Sequence, residues 1–238
     1  MYQLDNISCA YDERLIFENV NLSIQKGDYV VVLGENGQGK STFLDLLMGF
    51  KAAESGKILF EGDELKQILK HRKSKQAYYQ RLGILFQDVD IQLFNQTVYD
   101  EIAFSLYQAN RSEEEIKERV LDLADVFGIH DLLGRIPYQL SGGEKKKVAF
   151  ASIMAINPDI YILDEPFNNL AKEATEQLKA ILRHLNSIGK PIILSTHHYH
   201  YLADENTKVC LVKDGKITLY DKDTTTNNQD LKDLFNQF

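Results

Sequence analysis

The stretch "DYVVVLGENGQGKSTFLDLLMG", Asp28 to Gly49, constrains the fold more than any other part of the chain. It opens on a continuous β-branched run of the kind a strand shows when both of its faces are buried. It closes on a segment with helical spacing, with Gly49 placed as a C-cap. Between the two, "GENGQGKS" (Gly34 to Ser41) fits G-x-x-x-x-G-K-[ST]. In that pattern the glycines let the backbone curl until successive N–H groups point inward at phosphate oxygens, above a helix N-terminus. Lys40 is placed to reach β- and γ-phosphates and the Ser41 hydroxyl to ligate Mg²⁺. Gly34, Asn36, Gly37, Gly39 and Thr42 complete the candidate phosphate-binding set.

The rest of the chain alternates. Strand-like runs are expected around Gln3–Cys9, Val20–Ile24 and Gly56–Gly62, with polar turns between them. The middle third reads as helical. Ser112 and Glu115 form a capping box, and Ile116, Val120, Leu123 and Phe127 line one face. A second helix is expected from near Ser141 to the breaker at Asn157–Pro158. "DIYIL", "KPIILST" and "KVCLV" then read as strands. The helix "EATEQLKAILRHLNSIG" lies among them, with Leu178, Ile181, Leu182, Leu185 and Ile188 as its buried stripe. Such alternation implies an α/β fold with a largely parallel sheet and helices on both faces. A short terminal helix docking through Leu231, Leu234, Phe235 and Phe238 is also expected.

Composition excludes several classes. At 238 residues, 44% hydrophobic and 26% charged, the chain reads as a soluble globular protein. No apolar run approaches the ~18 residues of a membrane span. "MYQLDNISCAYDERL" has no basic-then-apolar leader pattern, so a cytoplasmic chain is expected. The net charge of −8 argues against a general nucleic-acid binder. The one basic cluster, "KHRKSK" (Lys70 to Lys75), reads as a solvated helix end or loop. Cys9 and Cys210 lie in strand-like segments and are expected to be buried free thiols.

"IYILDEPFNNLA" (Ile160 to Ala171) ends an apolar strand in two adjacent carboxylates. Ionised carboxylates at the end of a buried strand are costly unless a cation or ligand compensates them. In phosphate-loop nucleotidases a strand beside the loop strand ends in an Asp that holds Mg²⁺, the place Asp164 takes here. Glu165, next in line, is placed to polarise an attacking water as general base.

"LSGGEKKKVAFA", from Leu140, lies upstream of that pair. With the phosphate loop, and in this motif order, the chain resembles the ATP-binding cassette (ABC) superfamily over essentially its whole length. The resemblance implies the P-loop NTPase fold of the ABC ATPases: a mainly parallel core sheet, an N-terminal antiparallel β subdomain and a helical subdomain, about residues 88–157, carrying the signature, within one domain over 1–238. It implies ATP and Mg²⁺ as cofactors. Ser141, Gly142 and Gly143, at a helix N-terminus, are expected to face the γ-phosphate bound by a second cassette subunit. Gln87 matches the glutamine that contacts Mg²⁺ and the attacking water and that marks the surface touching a transmembrane partner. His197 matches the switch histidine near the γ-phosphate, and Tyr11 the aromatic residue that stacks on adenine. "HHYH" (His197 to His200) also invites a metal reading, but His197 has a better use beside the phosphate, and His198 and His200 read as surface residues.

"FQDVDIQLFNQTVYDEIAF", just past Gln87, is similar to the energy-coupling-factor ATPases, which power vitamin and metal-ion importers. The expectation is therefore an ATPase subunit on the inner face of the cell membrane, paired with a second cassette and a transmembrane subunit, powering solute transport. An exporter subunit, or a soluble nucleotide-gated cassette protein, is the alternative reading. One departure stands out. Where the superfamily usually ends this loop on aspartate, the chain has Ala171, so an interfacial hydrogen bond of that loop is missing. Reduced coupling between the two sites is expected, and a heterodimer with an aspartate-bearing partner is an open alternative to a homodimer.

Overall fold

The protein is described from a computed structural model covering residues 1–11, 14–197 and 207–221. The chain divides into two compact units, Met1–Tyr79 with Leu182–Phe238, and Gln80–Ile181. The first opens with β1 (Tyr2–Tyr11), β2 (Arg14–Ile24), β3 (Tyr29–Leu33), α1 (Lys40–Met48), β4 (Ser55–Phe60), the two-residue β5 (Asp63–Glu64), α2 (Leu65–Lys70) and α3 (Arg72–Gln80). The second holds β6 (Leu82–Leu85), α4 (Val98–Gln108), α5 (Glu113–Phe127), α6 (Gly142–Ala155) and β7 (Ile160–Leu163). The dividing line falls within α7 (Lys172–Ser187), and β8 (Ile192–Thr196), β9 (Thr207–Lys213) and β10 (Lys216–Tyr220) belong to the first unit.

In the first unit, β3 lies between β8 and β9 and runs parallel to both, with Leu33 opposite Thr196 and Leu211. All five residues of β3 and of β8 are buried, as their β-branched runs require of a strand covered on both faces. β10 closes this sheet antiparallel to β9, through a turn at Asp214 (φ 49°) and Gly215 (φ 74°). A separate antiparallel sheet runs β2-β1-β4-β5. Here β2 begins at Arg14, six residues earlier than the pattern suggests, because Cys9 and Ala10 pair with Phe17 and Leu15. The polar residues that read as turns are irregularities inside the ladder. Asn6 and Asn19 both have φ of 52°, and the Asn21 side chain accepts from the Asn6 N–H at 2.9 Å. Tyr78 of α3 bonds the Tyr2 hydroxyl (2.7 Å) and the Leu47 carbonyl, which ties the antiparallel sheet to the end of α1. Cys9 and Cys210 are buried free thiols.

In the second unit, β6 and β7 run parallel with Leu85 opposite Leu163. α6 packs on both α4 and α5, and Phe127 stacks on Phe150 with ring centroids 6.4 Å apart. Ile116, Val120, Leu123 and Phe127 are buried, and the Ser112–Glu115 capping box is formed in both directions.

One further expectation changes, one is met and one is not reached. Ile188 lies beyond the end of α7 and is 60% exposed, while Ile181 is half-buried, so the stripe of α7 is Leu178, Leu182 and Leu185. The basic cluster spans the end of α2 and the start of α3, with Lys70, His71, Arg72, Lys73 and Lys75 all exposed. The terminal helix expected through Leu231, Leu234, Phe235 and Phe238 lies outside the described residues, as do His198 and His200.

Candidate functional site

The glycine loop hangs between β3 and α1. Gly37 has φ of 81° and Gly39 of 104°, backbone that L residues rarely adopt. A Cβ on Gly39 would also lie 2.5 Å from Ile16 Cγ2, and one on Gly34 would lie 2.4 Å from the Val212 carbonyl oxygen. Only glycine lets the chain turn this tightly against its neighbours. Gly39 is the N-cap of α1, with no side chain to satisfy the first N–H groups, so those donors and the positive end of the helix face the loop's interior. Lys40 is 7% exposed, and its ammonium donates to the Gly34 carbonyl (2.8 Å) and the Glu35 carbonyl (3.2 Å). It is thus folded over the same loop. Ser41 is exposed and Thr42 half-buried in the first turn of α1. Because β3 and β8 are parallel and in register, Gly34 and His197 leave adjacent strands at the same level, the carboxyl end where α/β sheets hold ligands.

Tyr11 ends β1 and is 52% exposed. The Lys51 ammonium sits 3.7 Å from the ring centroid, a cation–π contact on one face.

In the second unit the parallel register of β6 and β7 brings Gln87 and the Asp164–Glu165 pair to neighbouring strand ends. The Asp164 N–H donates to the Leu85 carbonyl at 2.9 Å. Gln87 is exposed, Asp164 half-buried and Glu165 4% exposed, with a left-handed φ of 46°. Non-glycine residues in that region store strain of ~1–3 kcal/mol, a cost met where surrounding structure over-determines it. Ser141 caps α6, and Gly142 and Gly143 form its first turn. The Glu144 carboxylate accepts from the Ser141 N–H (2.8 Å) and hydroxyl (2.7 Å). Those bonds, hydroxyl first, hold its pKa below the usual carboxylate range.

Four structural residues of this unit escaped sequence reading. Lys146 is 3% exposed, and its ammonium donates to the carbonyls of Glu165 (2.9 Å) and Asn168 (3.2 Å). Burial pushes its pKa down to about 8, against the opposing pull of Glu165 and Asp164. Lys145 pairs with Asp90 at 2.6 Å. The Gln92 side chain accepts from the Phe86 N–H (3.2 Å) and donates to the Ile84 carbonyl (3.1 Å), which fixes the chain on the approach to Gln87. Glu101, 3% exposed, accepts from the N–H groups of Phe94 and Asn95. A signal for Lys146 and Glu101 does exist. Each sits at helical spacing within a buried apolar stripe, where an unpartnered charge would be expensive.

Comparison with known proteins agrees with this arrangement. Residues 17–168 match the ABC transporter family. The chain is 40% identical over 200 residues to the nickel import ATP-binding protein LarO of Lactiplantibacillus plantarum, covering 84% of this chain and 83% of that one. It is 34% identical over 217 residues to the energy-coupling factor transporter ATP-binding protein EcfA1 of Fusobacterium nucleatum, covering 91% and 80%. Among solved structures it is similar to CbiO1 of Clostridium perfringens, part of an ABC transporter complex, with a TM-score of 0.81 and 28% identity over 97% of this chain and 92% of that one. A glycine loop, a carboxylate pair and a signature helix in ABC order thus stand on an ABC fold. The chain belongs to the ABC transporter family, as an ATP-binding and ATP-hydrolysing subunit.

Proposed function

We propose that this chain hydrolyses MgATP at an interface with a second cassette and so powers an importer of the energy-coupling-factor kind, with a vitamin or metal ion as solute, from the cytoplasmic face of a membrane. The loop N–H groups and Lys40 bind the β- and γ-phosphates. Ser41, Gln87 and Asp164 supply hydroxyl, amide and carboxylate oxygens, the hard donor set that suits Mg²⁺. Bound there, Mg²⁺ neutralises charge on the transferring phosphoryl group. Glu165 takes the proton of the attacking water, and Gln87 and His197 hold that water and the γ-phosphate in line. Tyr11 offers its second ring face to adenine. Ser141 and the N–H groups of Gly142 and Gly143 reach the γ-phosphate held by the partner subunit.

The observation that carries the reading is the carboxylate pair that follows β7: Asp164 half-buried at a strand end neighbouring that of Gln87, and Glu165 buried with a strained backbone. Relatives support the dimer and the importer. One similar structure, with a TM-score of 0.82 and 26% identity, is a dimeric post-hydrolysis cassette bound to ADP and Pi. The relatives named above serve nickel import and energy-coupling factor transport. Among the described residues no helix is long and apolar enough to cross a membrane, which fits a subunit that docks on a separate transmembrane protein. The test is a mild-detergent pull-down of the tagged chain from its own cells. A multi-spanning membrane protein together with a cassette subunit supports the proposal, and a soluble ribosomal or DNA-bound complex refutes it.

A further inference from the structure

Lys146 lies in the second turn of α6, where a helix facing a core ordinarily carries an apolar or small side chain. It is one of only two lysines that are buried among the described residues, the other being Lys40 of the phosphate loop. Its ammonium is held by backbone, at 2.9 Å from the Glu165 carbonyl and 3.2 Å from that of Asn168. Those two carbonyls bracket the segment that leaves β7. Within it Glu165 (φ 46°) and Asn169 (φ 63°) are both left-handed, and the internal bonds are long: Asn168 N–H to Glu165 carbonyl at 3.3 Å and Leu170 N–H to Phe167 carbonyl at 3.4 Å. So strained a turn with such weak bonds of its own needs an outside brace. The head of α6 backs onto the same turn, since a Cβ on Gly143 would lie 3.9 Å from the Asn169 carbonyl oxygen.

We infer that Lys146 is a positioning residue for hydrolysis: it fixes the backbone of Glu165, and so the direction of its carboxylate, to the signature helix. The inference rests on the proposed role of Glu165 as general base. It gives α6 a second task. A shift of the signature helix moves the Glu165 backbone with it, so engagement of Ser141–Gly143 at one site is transmitted to the base of the same chain. A charged ammonium is suited to this because it donates to two carbonyls at once from the end of a long chain.

The experiment compares Lys146→Met, Lys146→Arg and Glu165→Gln in the purified complex, reading kcat, KM for ATP, MgATP binding and thermal unfolding. Lys146→Met is expected to lower kcat about tenfold, the effect of losing a charge-assisted bond, with KM and nucleotide binding within about twofold. Its unfolding temperature should stay within about 3 °C, and Lys146→Arg should recover most of the rate. A kcat within twofold of wild type in Lys146→Met overturns the inference. So does a rate loss that follows a lowered unfolding temperature and a raised KM, which is the signature of a purely structural clamp. Glu165→Gln separates the two levels. If it is inactive while Lys146→Met is silent, only the positioning role falls. If Glu165→Gln turns over at the wild-type rate, the general-base reading falls and takes this inference with it.

Discussion

Ala171 immediately precedes α7, is exposed, and its carbonyl accepts the Thr175 N–H at 2.9 Å, the first bond of the helix. It therefore stands where an N-cap stands, with a side chain that cannot cap. Ala171→Asp restores two interactions of different kinds. The first is local: an Asp at an N-cap stabilises a helix by about 1 kcal/mol over Ala. In a chain of this length that raises the unfolding temperature by about 2–4 °C. The second is the interfacial bond that the family's loop makes across the dimer. A charge-assisted bond of that kind contributes about 1.5–3 kcal/mol, a factor of about 10 to 150 in the equilibrium it biases. The assay measures steady-state ATP hydrolysis against ATP concentration alongside thermal unfolding of the nucleotide-free protein. Both a raised unfolding temperature and a steeper, more cooperative rate curve are expected. A raised unfolding temperature with an unchanged rate curve would show that Asp acts only as a cap and that Ala171 has no part in coupling. If neither changes, the cap reasoning fails as well.

Lys146 also makes stability depend on pH. Its folded pKa, about 8, lies below the ordinary 10.5, so the folded state releases this proton first. Below pH 8 both states hold it and the folded state carries the burial cost; that cost is relieved as pH rises from 8 and is gone above 10.5. Between pH 7.5 and 9.5 the wild type should gain about 2 kcal/mol relative to Lys146→Met in urea unfolding, and equal slopes would refute the assignment. Glu144, ionised beside Ser141, competes with an incoming phosphate for the Ser141 hydroxyl. Glu144→Gln should tighten ATP-driven cassette pairing about fivefold at low salt, the size of one close charge repulsion in water, as read by light scattering. Glu101→Ala strips the Phe94 and Asn95 N–H groups of their acceptor and should lower unfolding free energy by about 2–4 kcal/mol, with a denaturant midpoint shift as the readout.

The loop, the strand–helix order and the carboxylate pair were legible because each rests on a local rule: a run of β-branched residues, glycines that alone permit φ above zero, a breaker at Asn157–Pro158. The buried face of α5 followed from periodicity, and the extent of α6 from its Ser141 start and the same breaker. What was not legible depends on partners distant in sequence. The early start of β2 is set by pairing with Cys9 and Ala10, not by the polarity of "DERLIFEN". The stripe of α7 stops at Leu185 because the helix ends at Ser187, which the apolar Ile188 alone does not reveal. The apolar stripes around Lys146 and Glu101 signal that both are buried, but not which backbone groups they satisfy, 19 and 22 residues away for Lys146 and 6 and 7 for Glu101. In "GEKKK" the first two of three consecutive lysines have unlike fates: Lys145 pairs with Asp90 and Lys146 is buried against backbone.

The most direct test of the account is the rate of ATP hydrolysis by Glu165→Gln in the purified complex, measured together with MgATP binding. A general base contributes about 10²- to 10⁴-fold. The account predicts a kcat reduced at least a hundredfold with nucleotide binding retained. Wild-type turnover by Glu165→Gln would contradict it.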